Sequence, residues 1–474
     1  MVVLGSVWLF SCSTGPKSRE NDIVVLVSID TLRADALGCY GNQRRPTPNL
    51  DRLASRAVRF SNAVAPSPWT IPSHASLLTS LHPVVVGATV QQPIPECVTT
   101  IAEHLADHGF ATGAIVNCLY LDRKFQFDQG FQEFVFMKSP KGVNKNVDAA
   151  LDFLDRHDGD SLFLFLHIFD VHSPYVPPSP YDKLYTGEGG GKPDQDVDFL
   201  RKIHYHDHLT HLSETPSVDY LRRKYDAGVA RVDAELGRLF QVLKERQLYD
   251  DALIIVTSDH GEAFFEREIW VGHGLFLYSN ELRIPMLAKF PEAEGPSGVV
   301  VHTPVSLVDV VPTITDVLDL PPVAGAQGRS LRAIALDQRG EAGRDPEVPV
   351  FGSSSNTGNT QFIQTRRWKY IEPMVDDLSL VLRHHLRPSP EAATLLRERI
   401  VVGPQLFDLR NDPEERVNLA RVLPKVAGRL QERLSEEKER NLQHRIALAL
   451  EQRQPDVELT EEDRQKLRSL GYAQ

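Results

Sequence analysis

Hydrophobic positions recur along the chain on two different periods. IVVLVSI (23–29) is an unbroken, largely β-branched run, the pattern of a strand buried on both faces of a parallel sheet. ATGAIVN (111–117), SLFLFLHIF (161–169) and ALIIVTS (252–258) repeat that pattern. Between them, apolar residues return every three or four positions in NLDRLASRA (49–57), VTTIAEHLADHG (98–109), NVDAALDFLDRH (146–157) and YLRRKYDAGVARVDAELGRLFQVLKERQ (220–247). These segments read as helices. SLVDVVPTITDVLDL (306–320) predicts one more, with Pro312 marking a kink or a break between turns. Strands alternating with helices predict a doubly wound α/β domain, its mostly parallel sheet covered on both faces.

After about residue 350 the texture changes. FIQTRRWKYI (362–371) and QLFDLRNDPEE (405–415) read as short antiparallel strands with turns, and VLPKVAGRLQERLSEEKER (422–440) as a helix. The expected organisation is a leader and tether (1–22), a catalytic α/β domain (23–345) and a smaller C-terminal subdomain with an antiparallel sheet (346–474). TGEGGGKPDQD (186–196) reads as a surface loop. The four loosely spaced histidines of IHYHDHLTHL (203–212) suit a solvated insert better than a metal site.

With 474 residues, the chain is long enough to bury a sizeable core. The 52 basic and 64 acidic side chains leave a net charge of -12, which argues against a nucleic-acid partner. Its four cysteines, Cys12, Cys39, Cys97 and Cys118, show neither zinc-ligand nor disulfide-framework spacing. The last three read as buried small hydrophobes. VVLGSVWLF (2–10) is too short to cross a bilayer. It is similar to the apolar part of a signal peptide, and LFSC (9–12) resembles a lipobox ending at Cys12. The expectation is an exported, periplasmic or envelope-tethered lipoprotein that meets the membrane only through a lipid on Cys12.

Candidate chemistry lies at the strand ends, since open α/β sheets bind ligands beyond the carboxyl ends of their strands. The first strand runs into SIDTLRAD, with Asp30 at its tip; the fourth runs into TSDHGEAF, with Asp259 and His260. The third runs into HIFDVHSPY, which places His167, Asp170 and His172 just beyond its end. Two carboxylates and an imidazole suit one divalent cation: Ca²⁺, Mg²⁺, Mn²⁺ or Zn²⁺. In APSPWTIPSHASLLTS (65–80) a helix is expected to begin near Pro72 or Ser73, with Thr70 just before it. Thr70 could be a helix cap. It could instead be a hydroxyl beside the cation, aimed at phosphorus or sulfur. Trp69 is expected to pack or to line the pocket mouth, and Arg33 and Asp35 to pair or to brace the metal loop.

IVVLVSIDTLRADALGCYG, PTPNLDRLA, APSPWTIPSHASLLTSLHP and TSDHGE, followed in order by HSPYVPP (172–178), GHGLFLYSNELRIPML (272–287), GRSL (328–331), RRWKYI (366–371), LFDLRNDPEERVNL (406–419) and LRSLGY (467–472), resemble the sulfatase family of the alkaline phosphatase superfamily. The resemblance spans nearly the whole chain after residue 22. It implies an alkaline phosphatase-like doubly wound sheet with a smaller C-terminal antiparallel sheet. It implies one divalent metal ion, Ca²⁺ by family, held by Asp30, Asp259, His260 and Thr70. Thr70 falls on the nucleophile, and His74 on the arginine of the sulfatase signature (Cys or Ser, any residue, Pro, any residue, Arg). His172 and His273 fall where the family contacts the ester group, many members having lysine at the latter. Asn117 falls on the pocket wall, as a substrate-binding residue. Thr31 stands where many sulfatases carry a second aspartate.

Two departures shape the expected chemistry. Threonine carries a methyl group on its β-carbon, so oxidation would give a ketone and formylglycine is not expected. Related phosphodiesterases and glycerol-phosphate transferases use threonine as the nucleophile. Histidine at position 74 titrates near neutrality, whereas arginine is permanently charged. The expected function is metal-dependent hydrolysis of a sulfate or phosphate ester, on a small-molecule, glycan or lipid substrate, through Thr70. Family likeness points to sulfate; the chemistry of threonine points to phosphate. The alternatives are a phospho-group transferase of the cell envelope and a non-catalytic binder of anionic glycans. The combined presence of Asp30, Asp259, His260, His172 and a hydroxyl at residue 70 favours catalysis.

Overall fold

The computed structural model describes residues 21–185, 218–267, 271–293, 295–340, 348–357, 360–373, 400–450 and 455–469. The leader with Cys12, the glycine-rich segment 186–196, the four-histidine stretch 203–212 and the last residues of the LRSLGY motif lie outside the described residues.

Ile23–Ile29 is the centre of an eight-stranded sheet, with all seven of its residues buried. The spatial order is Val299–Val301, Val58–Phe60, Met286–Lys289, Leu253–Thr257, Ile23–Ile29, Leu162–Ile168, Ala111–Val116, Glu133–Phe136. Every neighbouring pair is parallel except those made by Met286–Lys289, which runs against both of its partners. Side chains alternate across the sheet. Val24 and Leu26 join one core, while Ile23, Val25, Val27 and Ile29 join the other. That two-sided burial is why the strand has no polar face, and each such side chain contributes about 1.5–3 kcal/mol.

Val143–Arg156 and Val218–Glu245 pack together on one face, the latter also against Pro48–Ala54. Thr70–Thr79 packs with Val310–Val317 and Ile101–Asp107 on the other. The smaller sheet has the order Val350–Ser354, Thr360–Gln364, Trp368–Ile371, Gln405–Asp408, antiparallel throughout. Pro424–Ala447 lies across it, burying Leu430 and Leu434 with Ile363, Tyr370 and Leu406.

Several elements depart from the sequence reading. The signature helix starts at Thr70, two or three residues earlier than expected, with Trp69 as its N-cap. Pro72 occupies its first turn, where no N–H is needed. His167 lies inside the Leu162–Ile168 strand, not beyond it. Pro312 stands in the first turn of Val310–Val317, after the 3-10 turn Leu307–Asp309, so the chain breaks between turns there and does not kink a helix. Cys118 is buried, but Cys39 is half-buried and Cys97 exposed.

Candidate active site

Asp30 stands at the tip of the central strand, and its N–H donates to Ile168 O at 2.9 Å. The next turns are stitched to the turn after Leu253–Thr257. Thr31 N–H donates to Asp259 Oδ1 (3.2 Å) and Leu32 N–H to Ser258 Oγ (2.9 Å). Tyr225 closes the same turn, accepting from Arg33 N–H and donating to Thr31 O, both at 2.8 Å. These bonds force Thr31 into the left-handed region at φ 58, a strained conformation for a β-branched residue.

Asp30, Asp259 and His260 therefore converge, with candidate ligand atoms all within 4.8 Å of one another and all three side chains buried. His260 Nε2 lies 3.2 Å from Asp259 Oδ2 and 4.0 Å from Asp30 Oδ1. His260 Nδ1 donates to Gly261 O at 3.0 Å, which leaves Nε2 as the lone-pair nitrogen toward the carboxylates. Asp30 Oδ1 and Asp259 Oδ2 are buried without a hydrogen-bond partner among the described residues. Burial pushes the Asp30 carboxyl up to about 7, with His260 opposing. Two orphaned carboxylate oxygens and an oriented imidazole nitrogen are a donor set that fits a divalent cation.

Thr70 Oγ1 reaches this cluster, 3.4 Å from His260 Nε2. The hydroxyl does not cap its helix, because Thr70 is the first helical residue and no side chain caps that end. His74, one turn further on, faces the same way but from behind. Its Nδ1 donates to Thr70 O (2.9 Å), and its Nε2 accepts from Ser28 Oγ (2.9 Å). Burial pulls His74 down to about 3 against the nearby Asp259. At this position the chain thus holds a neutral ring that fixes the Thr70 backbone.

His172 and His273 flank the cluster, their rings edge-to-face at 4.9 Å. His172 Nδ1 donates to Ser173 O (2.6 Å), and the ring stacks on Phe169 at 4.1 Å. His273 Nδ1 lies 3.0 Å from Glu262 Oε1, and its ring is 4.4 Å from that of His260. Burial pulls His273 down to about 4, Asp259 opposing. Asn117 is one layer back: Oδ1 meets His167 Nδ1 at 3.1 Å, and Nδ2 donates to Pro140 O at 3.0 Å. His167 Nε2 in turn reaches Asp30 Oδ2 at 3.2 Å. Trp69 is half-buried between Tyr120 and His273, its ring centroid 5.6 and 5.7 Å from theirs. Arg33 both pairs with Asp35 (2.7 Å) and braces the site loop by donating to Glu262 O (2.7 Å).

Five supporting residues are absent from the sequence reading of the site or differ from it. Lys141 Nζ donates to the carbonyls of Asp170 (3.1 Å), Phe169 (3.4 Å) and His172. Burial pulls its ammonium down to about 8, against Asp170. Ser28 and His167 are cross-strand partners in the register of the sheet. They were legible only as polar interruptions within apolar runs. Glu262 lies inside the DHGE tetrapeptide yet serves His273 rather than the cluster of Asp30, Asp259 and His260. Asp170 is taken up by Arg231 (2.6 Å) and the Gly142 N–H (3.1 Å).

The sulfatase family profile matches residues 22–320. An ulvan-active sulfatase of Formosa agariphila is 24% identical over 408 residues, covering 77% of this chain and 76% of the relative. A solved protein in complex with its substrate D-glucosamine-2-N,6-O-disulfate superposes with a TM-score of 0.69 at 18% identity, over 90% of this chain and 99% of that one. The phosphonate monoester hydrolase of Silicibacter pomeroyi gives a TM-score of 0.67 at 20% identity, over 89% and 96%. The structural likenesses establish the fold, and the profile establishes descent. The chain belongs to the sulfatase family, and is a hydrolase of sulfuric or phosphoric ester bonds.

Proposed function

We propose that the chain hydrolyses a phosphate or phosphonate ester, and a sulfate ester less readily, with the Thr70 hydroxyl as nucleophile. The observation that carries this reading is the position of Thr70 Oγ1, 3.4 Å from His260 Nε2 at the start of a ten-residue helix. The N–H groups of that end favour negative charge. A divalent cation held by Asp30, Asp259, His260 and Thr70 would supply the positive charge that makes ionising the hydroxyl and docking an anionic ester favourable.

Thr70 Oγ forms a bond to phosphorus or sulfur while the bond to the leaving oxygen breaks on the opposite side. The Thr70 hydroxyl proton passes to the Nε2 lone pair of His172 or His273, and the leaving oxygen departs with the bonding pair and takes that proton up. Nδ1 of His172 is tied to Ser173 O and that of His273 lies beside Glu262, so Nε2 of each ring is the nitrogen for the substrate. Water then attacks the esterified Thr70, the bond to Oγ breaks, and the hydroxyl is restored. Threonine has no second hydroxyl on its β-carbon to expel the group by itself. Release must occur by water attack, which is easier at phosphorus. The likeness to a phosphonate monoester hydrolase supports the same side.

The test is a panel of 4-nitrophenyl phosphate, 4-nitrophenyl sulfate and 4-nitrophenyl phenylphosphonate, assayed with Ca²⁺, Mn²⁺, Mg²⁺ and Zn²⁺. Thr70→Ala is expected to lower kcat at least about a thousandfold while circular dichroism stays unchanged. Wild-type turnover in that variant would refute the assignment.

A further inference from the structure

His273 is held by its backbone as well as by Glu262. The N–H of the following residue, Gly274, donates to Glu281 Oε2 at 2.9 Å, and Gly274 O accepts from Asn356 Nδ2 at 2.9 Å. On the third side stands Trp69. Gly274 has φ +101, and a Cβ there would lie 2.4 Å from Trp69 Cε3, so only glycine fits. Asn356 belongs to the C-terminal subdomain, in the turn after Val350–Ser354.

Glu281 is fully buried and serves two loops. Its carboxylate takes the Gly274 N–H, and its own carbonyl takes the N–H of Gly261, next to His260, at 2.7 Å. The short turn Ser279–Leu282 that carries it is gripped by the subdomain. The Glu415 carboxylate accepts from Ser279 N–H (2.7 Å) and Ser279 Oγ (2.8 Å), and pairs with Lys369 Nζ at 2.8 Å. The Glu415 and Lys369 side chains are 1% and 0% exposed. Tyr278 OH donates to Gln405 Oε1 at 2.8 Å, and Arg267 packs on the Tyr278 ring at 3.7 Å while donating to Glu415 O. Desolvating a charge pair is costly, and such a pair is retained where it fixes a geometry.

We propose that Asn356, Glu281 and Glu415 are positioning residues through which the C-terminal subdomain sets His273 against the His260 ring and the Thr70 hydroxyl beside it. None of the three touches reacting atoms. The inference rests on the roles proposed above for Thr70 and His273.

The test uses the full chain with Mn²⁺ and the panel substrate that it turns over fastest. Asn356→Asp keeps the side chain's shape but removes the donor to Gly274 O. Its kcat is expected to fall about tenfold or more, with KM moving less than about threefold and the melting temperature held. Glu281→Gln, which keeps an oxygen for the Gly274 amide, should recover most of the turnover that Glu281→Leu loses. A kcat in Asn356→Asp within about twofold of wild type, with Thr70→Ala inactive, overturns the clamp and leaves the nucleophile standing. Turnover surviving Thr70→Ala overturns the nucleophile instead. The clamp is then judged without activity, by hydrogen exchange over 271–278 read by mass spectrometry. Exchange there should quicken about tenfold in Asn356→Asp but not in Glu414→Gln, an exposed change on the same turn as Glu415. Unchanged exchange in Asn356→Asp overturns the proposal.

Discussion

Asp30 and Asp259 each keep one buried carboxylate oxygen that no donor meets among the described residues. Leaving such a group unsatisfied costs about 1–3 kcal/mol, more when it is charged. A cation held at the cluster would offset that cost, since it would bind the folded chain and find no preformed site in the unfolded one. Ion binding must therefore raise stability, by about 2.7 kcal/mol at a concentration a hundredfold above Kd. Calorimetry should show a lower melting temperature after chelation and recovery on adding Ca²⁺ or Mn²⁺. In Asp259→Ala that metal-dependent shift should vanish. The positions of Asp30, Asp259, His260 and Thr70 were legible, because each follows a strong strand or sits in a distinctive motif. Their supports were not. Ser28 meets His74, His167 meets Asp30, and Glu262 meets His273 across separations that no local pattern encodes.

At the scale of elements, buried parallel strands were the clearest signal, since both faces must be apolar. The start of the signature helix was not. Thr70–Ile71–Pro72 carries no capping side chain ahead of it, and its first turn is set by packing, with every residue of the helix buried. The antiparallel strand Met286–Lys289 also went unread, because its four residues show neither alternation nor a long apolar run. Its last residue is unusual. Lys289 is 1% exposed, and its Nζ donates to the carbonyls of Tyr249, Asp250 and Ala252. Burial pulls this ammonium down to about 8 from 10.5, against Asp250. Between those values the unfolded chain keeps a proton that the folded chain has released. The folded state therefore gains stability from this residue as pH rises through that window, by at most about 1.4 kcal/mol per pH unit. Below the folded value both states are protonated and the contribution is flat. Urea unfolding at pH 7.0 and, by the same reasoning, about two units higher should show the wild type gaining on Lys289→Met. An equal difference at both pH values would contradict the burial of a titrating lysine here.

For the whole molecule, the alternation of strands and helices announced the large domain, and the change of texture after about residue 350 announced the small sheet. The contact between them was not legible. Glu415 and Lys369 look like ordinary surface charges in their motifs, yet both are buried against the turn that carries Glu281. The site is a joint product of three strand tips, one helix start and, through Asn356 and Glu281, the small sheet. The proposed chemistry requires the Thr70 oxygen to bond covalently to the substrate's central atom during turnover. The most direct measurement is peptide mapping by mass spectrometry after acid quench in the first turnover of a phosphate or phosphonate ester. The account predicts the phosphoryl or phosphonyl group on Thr70. The group on any other side chain, or a burst of released alcohol with Thr70 unmodified, would contradict it.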